Sequence, residues 1–145
     1  MQDELELLQR FLDIEQARFG ARLVVDVELD EEAKDALVPA LVCQPLVENA
    51  IRHGVARRSG PVAVRVRVTR EGDALLLEIT DTGRGLGAKP VREGIGLSNT
   101  RARLRELYGD AASLRLDDAT ADGAVATIRL PFHLAANQDY VSASA

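Results

Sequence analysis

Hydrophobic positions along the chain fall into two rhythms. In ELELLQRFLDIEQARF, residues 4–19, Leu5, Leu8, Leu12 and Phe19 recur on or near one helical stripe. The pattern predicts an amphipathic helix, and Gly20 suits its C-terminal cap. Arg22 to Leu29, RLVVDVEL, alternates late in its run and predicts a strand. Val38 to His53 predicts a second helix, with Pro39 in its first turn and Gly54 just past its end. Pro45 inside that helix is expected to remove a backbone bond and kink it. Pro61 to Thr69, PVAVRVRVT, alternates strictly and predicts a half-buried strand. Glu71-Gly72-Asp73 reads as a hairpin turn, followed by a buried strand, Ala74 to Thr80. A glycine-rich stretch runs from Asp81 to Gly96, and Leu97 to Tyr108 predicts a third helix. Ser113 to Leu116 and Ala124 to Leu130 predict two more strands, turned around Asp122-Gly123.

The predicted order is α-β-α-β-β-loop-α-β-β. It points to the α+β class: a mixed, mostly antiparallel sheet with helices on one face. One domain is expected over residues 1–133, with a loose tail over 134–145. The first helix reads as core packing in preference to a dimerisation helix. The single cysteine, Cys43, falls on an apolar helix face and reads as a buried structural residue. One cysteine also excludes an internal disulfide framework and fits a reducing, cytoplasmic compartment. No apolar run approaches the length of a membrane span, and the first residues do not predict a signal peptide.

Composition changes the picture through charge. The net charge of −5 and an aromatic content of 3% argue against nucleic-acid binding. The charge is uneven. Residues 1–48 hold 4 basic and 12 acidic side chains, and residues 49–105 hold 12 basic and 5 acidic. A basic middle in an acidic chain suggests an anionic ligand held there. Arg65, Arg67 and Arg70 read as the solvent face of a strand. Arg52, Arg84, Lys89 and Arg92 instead sit beside three segments with chemical content.

In QPLVENAIRHG, Gln44 to Gly54, helical spacing puts Pro45, Glu48, Asn49 and Arg52 on one face. Cys43, Leu46, Val47 and Ala50 take the opposite face. Mg²⁺ takes oxygen ligands and keeps several waters, so one amide oxygen from Asn49 suits it, and Arg52 suits a phosphate. DTGRG, Asp81 to Gly85, follows a buried strand. A carboxylate there can accept from a base amino group, and glycines let backbone approach the ring. GIGLSN, Gly94 to Asn99, opens a helix whose N–H groups can meet phosphate oxygens. Each segment alone also reads as a solvated helix face, a plain turn or an ordinary loop. Their occurrence together, in this order, points to a nucleotide site.

The three segments resemble the N box and the two glycine boxes of the GHKL superfamily, which groups gyrase, heat-shock chaperones, histidine kinases and MutL. The resemblance is greatest to LytS-like sensor histidine kinases. It extends through FLDIEQARFGARL, VPALVCQPLVENAIRHG and GIGLSNTRARLRELYG, and covers roughly residues 4–132. It implies the Bergerat fold, a two-layer α/β sandwich. It implies that Asn49 holds Mg²⁺, that Asp81 binds the adenine amino group of ATP, and that Gly83 and Gly85 pass under the base. Gly94, Ile95, Gly96 and Leu97 would lie at the lid over the phosphates, with Arg52 and His53 on the phosphate or ribose side. Charge and position alone add Lys89 and Arg92 as phosphate contacts.

Two departures stand out. The residue four before Asn49, often Glu or Asn in the superfamily, is Pro45, so Glu48 is left as the carboxylate able to orient a magnesium-bound water. The last strand often begins Gly-Thr and here begins Gly123-Ala124. Neither His53 nor His133 lies in a segment of the phosphoacceptor kind. The resemblance therefore implies a catalytic fragment of a membrane-bound kinase. It would present the γ-phosphate of Mg-ATP to a phosphoacceptor-histidine dimerisation domain outside this chain, with a response regulator downstream and no membrane contact of its own. An anti-sigma-factor serine kinase and a degenerate nucleotide-sensing module of the same superfamily are the competing readings.

Overall fold

The computed structural model describes residues 1–55, 60–83, 94–118 and 123–134. Its elements in order are α1 (Gln2–Phe19), β1 (Leu23–Leu29), α2 (Gln44–Ala50), β2 (Val62–Glu71), β3 (Ala74–Asp81), α3 (Ile95–Tyr108), β4 (Ser113–Asp118) and β5 (Ala124–Pro131). All but α2 stand where the hydrophobic rhythm places them. Gly20 and Gly109 follow α1 and α3 with φ of 59° and 58°, a conformation that carries no Cβ penalty in glycine.

The five strands form one sheet in the order β1-β2-β3-β5-β4. β1 and β2 are parallel, and α2 lies in the connection between them. The other three pairings are antiparallel. Strict alternation in β2 sends Val62, Val64, Val66 and Val68 to the inner face, all with no exposure, beside Leu75, Leu77 and Ile79 of β3. Ile128 and Leu130 of β5 complete that inner face, and Leu5, Leu8, Leu12, Leu46, Val47, Leu97 and Leu104 of the three helices cover it. Burying this many Leu, Ile and Val side chains at roughly 1.5–3 kcal/mol each is the main force holding the two layers together.

The other sheet face is polar. Arg65 lies opposite Asp26 in the β1–β2 register and bonds it at 3.1 Å, and Arg67 lies opposite Glu28 at 3.6 Å. The solvent-facing reading of these two arginines holds. Arg70 differs: its guanidinium stacks over the Phe132 ring, 4.0 Å from the centroid. Cys43 is fully buried, as expected. Among the described residues no helix is long and apolar enough to cross a membrane.

The second helix differs from expectation. Residues 38–43 are not helical, and α2 begins at Gln44. Leu41 adopts φ 58°, a left-handed conformation that breaks any helix running through it. Pro45 therefore sits in the first turn of α2, where its missing N–H has no helical acceptor in any case, and it causes no kink. After Ala50 the helix widens into a π turn over Ile51–Val55, so Gly54 lies inside that turn, not beyond the helix. Of the expected loose tail over 134–145, Leu134 is held in an isolated antiparallel bridge with Ala36, and the rest lies outside the described residues.

Candidate functional site

Asp81 ends β3, between β2 and β5, and is only 7% exposed. The chain beyond it is pinned to β2. The Thr82 N–H donates to the Ala63 carbonyl at 3.0 Å, and the Ala63 N–H donates to the Thr82 hydroxyl at 2.9 Å. This tether turns the Gly83 N–H back onto Asp81 Oδ1 at 2.9 Å.

Three glycines close around Asp81, Gly83 and Gly54 at its carboxylate and Gly123 at its main chain. A Cβ on Gly83 would lie 2.6 Å from the Gly54 Cα and 2.8 Å from Asp81 Oδ1. A Cβ on Gly54 would lie 3.3 Å from the same oxygen, and one on Gly123 would lie 1.8 Å from the Asp81 carbonyl oxygen. No side chain fits at Gly83 or Gly123, because what it would meet is backbone. Burial pushes the Asp81 carboxyl above its ordinary value; hydrogen bonds from Gly83 and Ala124, and the positive character of His53, act in the opposite direction. The result is a carboxylate at a strand end, short of water and lined by bare backbone.

α2 lies beside this cradle. Leu46, Val47 and Ala50 enter the core, which leaves Glu48 and Asn49 half-buried and Arg52 exposed. Glu48 accepts a hydrogen bond from the Gln44 side-chain amide at 2.9 Å. Pro45 and Arg52 both reach the start of α3: a Cβ on Gly96 would lie 3.4 Å from the Pro45 Cβ, and one on Gly94 would lie 3.8 Å from Arg52 Nη1. The first N–H of α3 to find its helical acceptor is that of Ser98, bonded to the Gly94 carbonyl at 3.1 Å. The N–H groups of Ile95, Gly96 and Leu97 precede it, as helix N-termini require. The Ile95 side chain is 81% exposed and that of Leu97 is in the core, so Leu97 has only its main chain to offer a ligand.

The structure thus brings together Glu48, Asn49, Arg52 and His53 on one element, Asp81 and Gly83 on a second, and Gly94 to Leu97 on a third. Gly85, Lys89 and Arg92, with Arg84, lie outside the described residues. Sequence reasoning passed over Gly54 as part of the site, and marked Gly123-Ala124 only as a departure from a motif. Their signal was weak: single small residues at the ends of elements, each needing the tertiary fold to bring it to Asp81.

The donor set bears on which groups fit. A buried carboxylate in a cradle that a Cβ would fill suits a flat ring bearing an amino group. Among the described residues no three His, Cys, Asp or Glu side chains gather to hold a metal ion. A cation bound here would take one amide oxygen from Asn49 and the rest of its shell from phosphate and water, which is how Mg²⁺ binds with nucleotides.

Residues 34–134 match the family described as histidine kinase-, DNA gyrase B- and HSP90-like ATPase. Among curated proteins, the sensor histidine kinase BtsS of Escherichia coli is 35% identical over 130 residues, covering 90% of this chain and 23% of BtsS. The sensor protein LytS of Bacillus subtilis is 31% identical over 140 residues, covering 88% of this chain and 24% of LytS. The chain therefore spans about a quarter of the length of such relatives. Among solved structures, the catalytic domain of histidine kinase ThkA superposes with a TM-score of 0.71 at 13% identity, covering 90% of this chain and 92% of that domain. The histidine kinase domain of the blue-light activated kinase of Erythrobacter litoralis superposes with a TM-score of 0.64 at 21% identity, covering 93% and 63%. At these identities the two structures establish the shared fold.

Proposed function

The chain belongs to the family of histidine kinase-, DNA gyrase B- and HSP90-like ATPases, and from that premise we propose that it is the ATP-binding catalytic domain of a two-component sensor histidine kinase. It binds Mg-ATP and presents the γ-phosphate to a phosphoacceptor histidine on a dimerisation domain outside this chain. The observation that carries this reading is the caged Asp81. A buried carboxylate walled by glycine backbone is an unfavourable arrangement in a free protein, and a planar ligand that donates a hydrogen bond to it removes the penalty.

Each residue has a role in this reading. Asp81 accepts from the adenine amino group, and Gly54, Gly83 and Gly123 keep side chains out of the ring's place. Asn49 supplies an amide oxygen to Mg²⁺. Glu48, which accepts from the Gln44 amide, would be the carboxylate available to orient a magnesium-bound water. Arg52 and His53 face the phosphate or ribose side, and the N–H groups of Ile95, Gly96 and Leu97 meet phosphate oxygens. Gly85, Lys89 and Arg92 complete the lid. When bound, Mg²⁺ supplies charge neutralisation to the phosphates; the chain's own contribution is position, since phosphoryl transfer asks for alignment more than for covalent chemistry. Pro45, packed toward Gly96, offers no base four residues before Asn49, so slow hydrolysis without an acceptor is expected. The relatives' names favour this reading over an anti-sigma-factor kinase. In the intact kinase the domain would face the cytoplasm and act upstream of a response regulator.

Calorimetric titration tests the site. Mg-ATP should bind the wild-type chain with a micromolar Kd, about −8 kcal/mol. Asp81→Asn should lose most of that binding. Asn49→Ala should bind ATP equally with and without magnesium. A folded wild-type chain that takes up no nucleotide defeats the reading.

A further inference from the structure

Glu4, in the first turn of α1, is only 6% exposed although it carries a charge. A buried carboxylate is unfavourable unless hydrogen bonds replace its water. Both of its oxygens are used: Oε2 accepts the Leu41 N–H at 2.8 Å and Oε1 accepts the Cys43 N–H at 3.1 Å. These two donors lie in the short stretch that delivers the chain into α2. Leu41 holds a left-handed φ of 58°, which a leucine keeps only when its surroundings enforce it. The same stretch is gripped from the other side, where Arg103 of α3 donates to the Ala40 carbonyl at 2.5 Å. Cys43 passes the constraint on, since its carbonyl accepts the N–H groups of both Leu46 and Val47 at 3.1 Å, one turn before Asn49. α2 has no side-chain cap of its own.

We propose that Glu4 is a positioning residue for the magnesium side of the nucleotide site. With Arg103 it forms a two-ended strap on residues 40–43 that fixes where α2, and with it Asn49, stands relative to Asp81. The inference rests on the reading of Asn49 given above. The carboxylate itself is held apart from the strap, because Asp81 is fixed by β2, Gly83 and Ala124; Gly54, on the turn that continues α2, joins the two sides. Movement of α1 along its axis would reach Asn49 through Glu4 before it reached Asp81.

The test compares wild type, Glu4→Gln, Glu4→Asp and Arg103→Ala in ATP titrations with magnesium and with excess chelator, well below every melting temperature. Amide exchange is followed on the same samples. Gln keeps the shape but sets an NH₂ group against one of the two backbone donors. Glu4→Gln should weaken binding in magnesium about tenfold, the size of one lost charge-assisted bond, and change binding in chelator less than about twofold. Exchange should quicken over residues 41–50 and stay unchanged in Leu75–Ile79. Glu4→Asp, too short to reach both donors, should fall between Gln and wild type. Arg103→Ala should show the same selective loss, smaller, and it carries the test if the Glu4 variants do not fold. Equal weakening with and without magnesium would mean a merely structural role and overturns the proposal. So does a folded Glu4→Gln whose magnesium response matches wild type. A wild-type chain with no magnesium response overturns the reading of Asn49 and the functional part of this inference with it; the exchange result then stands or falls for the strap alone.

Discussion

β3 carries glycines just beyond both of its ends, and the two ends differ in kind. At the hairpin end Gly72 holds φ 59°, and a Cβ there would meet nothing within 4 Å. Glycine serves that turn for its backbone freedom alone. At the other end a Cβ on Gly83 would strike the backbone of Gly54, and one on Gly123 would strike the carbonyl of Asp81. There glycine serves because no side chain fits. The hairpin end exposes its backbone to water, whereas the far end buries a carboxylate. A glycine in open space marks a turn, and glycines pressed against one another mark a close approach of backbones around a polar group.

The contrast breaks most sharply at Gly123. Gly123→Ala adds a Cβ with no room and a φ of 107° that L residues rarely adopt. Stability should fall by about 3 kcal/mol, seen in thermal melting as a drop of roughly 10 °C, and ATP binding should go with it. A variant that melts like wild type would show that the cradle yields.

Asp81→Asn comes next, and it should separate binding from stability. ATP affinity should fall on the order of 10–100-fold with the loss of a charge-assisted bond. The free chain should become more stable at neutral pH. Burial raises the Asp81 carboxyl above its ordinary value of 3.8. Between the unfolded and folded values the folded chain therefore holds the extra proton, so stability falls as the pH rises through that interval. Asparagine has no charge to desolvate and escapes this loss. Melting curves should place the variant above wild type at pH 7, and the gap should close as the pH is lowered past about 4. A variant less stable than wild type at pH 7 would contradict a desolvated carboxylate.

Gly72→Ala should cost about 1–2 kcal/mol, the strain of a left-handed alanine, and leave ATP affinity unchanged. Gly72→Asn should recover most of that stability. Loss of ATP binding in either variant would erase the distinction between the two ends. The smallest effect is expected on the outer sheet face, where Arg65→Ala removes an exposed ion pair with Asp26. Its contribution is about 0.5 kcal/mol or less, and denaturant unfolding should detect little change.

Much of this protein is legible along the chain. Strict alternation in PVAVRVRVT identifies β2 and its buried face, because a one-residue slip would put four valines into water. The leucines of α1 and the glycines at 20 and 109 locate two helices and their ends. Asp81, Asn49 and the opening of α3 stand out as candidates because three unlike segments occur together in one order. The start of α2 was not legible. Val38 to Cys43 carries helix-compatible residues, and only the left-handed Leu41, held by Glu4 from 37 residues away, stops a helix there. Gly54 was not legible as a site residue for the same reason.

Sequence by itself determined most of the elements, the inner face of the sheet and the family, since each depends on periodicity or on residues close in the chain. Tertiary structure decided what those elements enclose: that Gly54, Gly83 and Gly123 meet around Asp81, that Pro45 faces Gly96, and that an acidic residue in α1 holds the lead into α2. Local pattern is set by hydrophobic burial, which acts on every residue according to its spacing. Contacts of this second kind depend on backbones approaching to within a few ångströms from distant parts of the chain, and no spacing along the sequence encodes that distance.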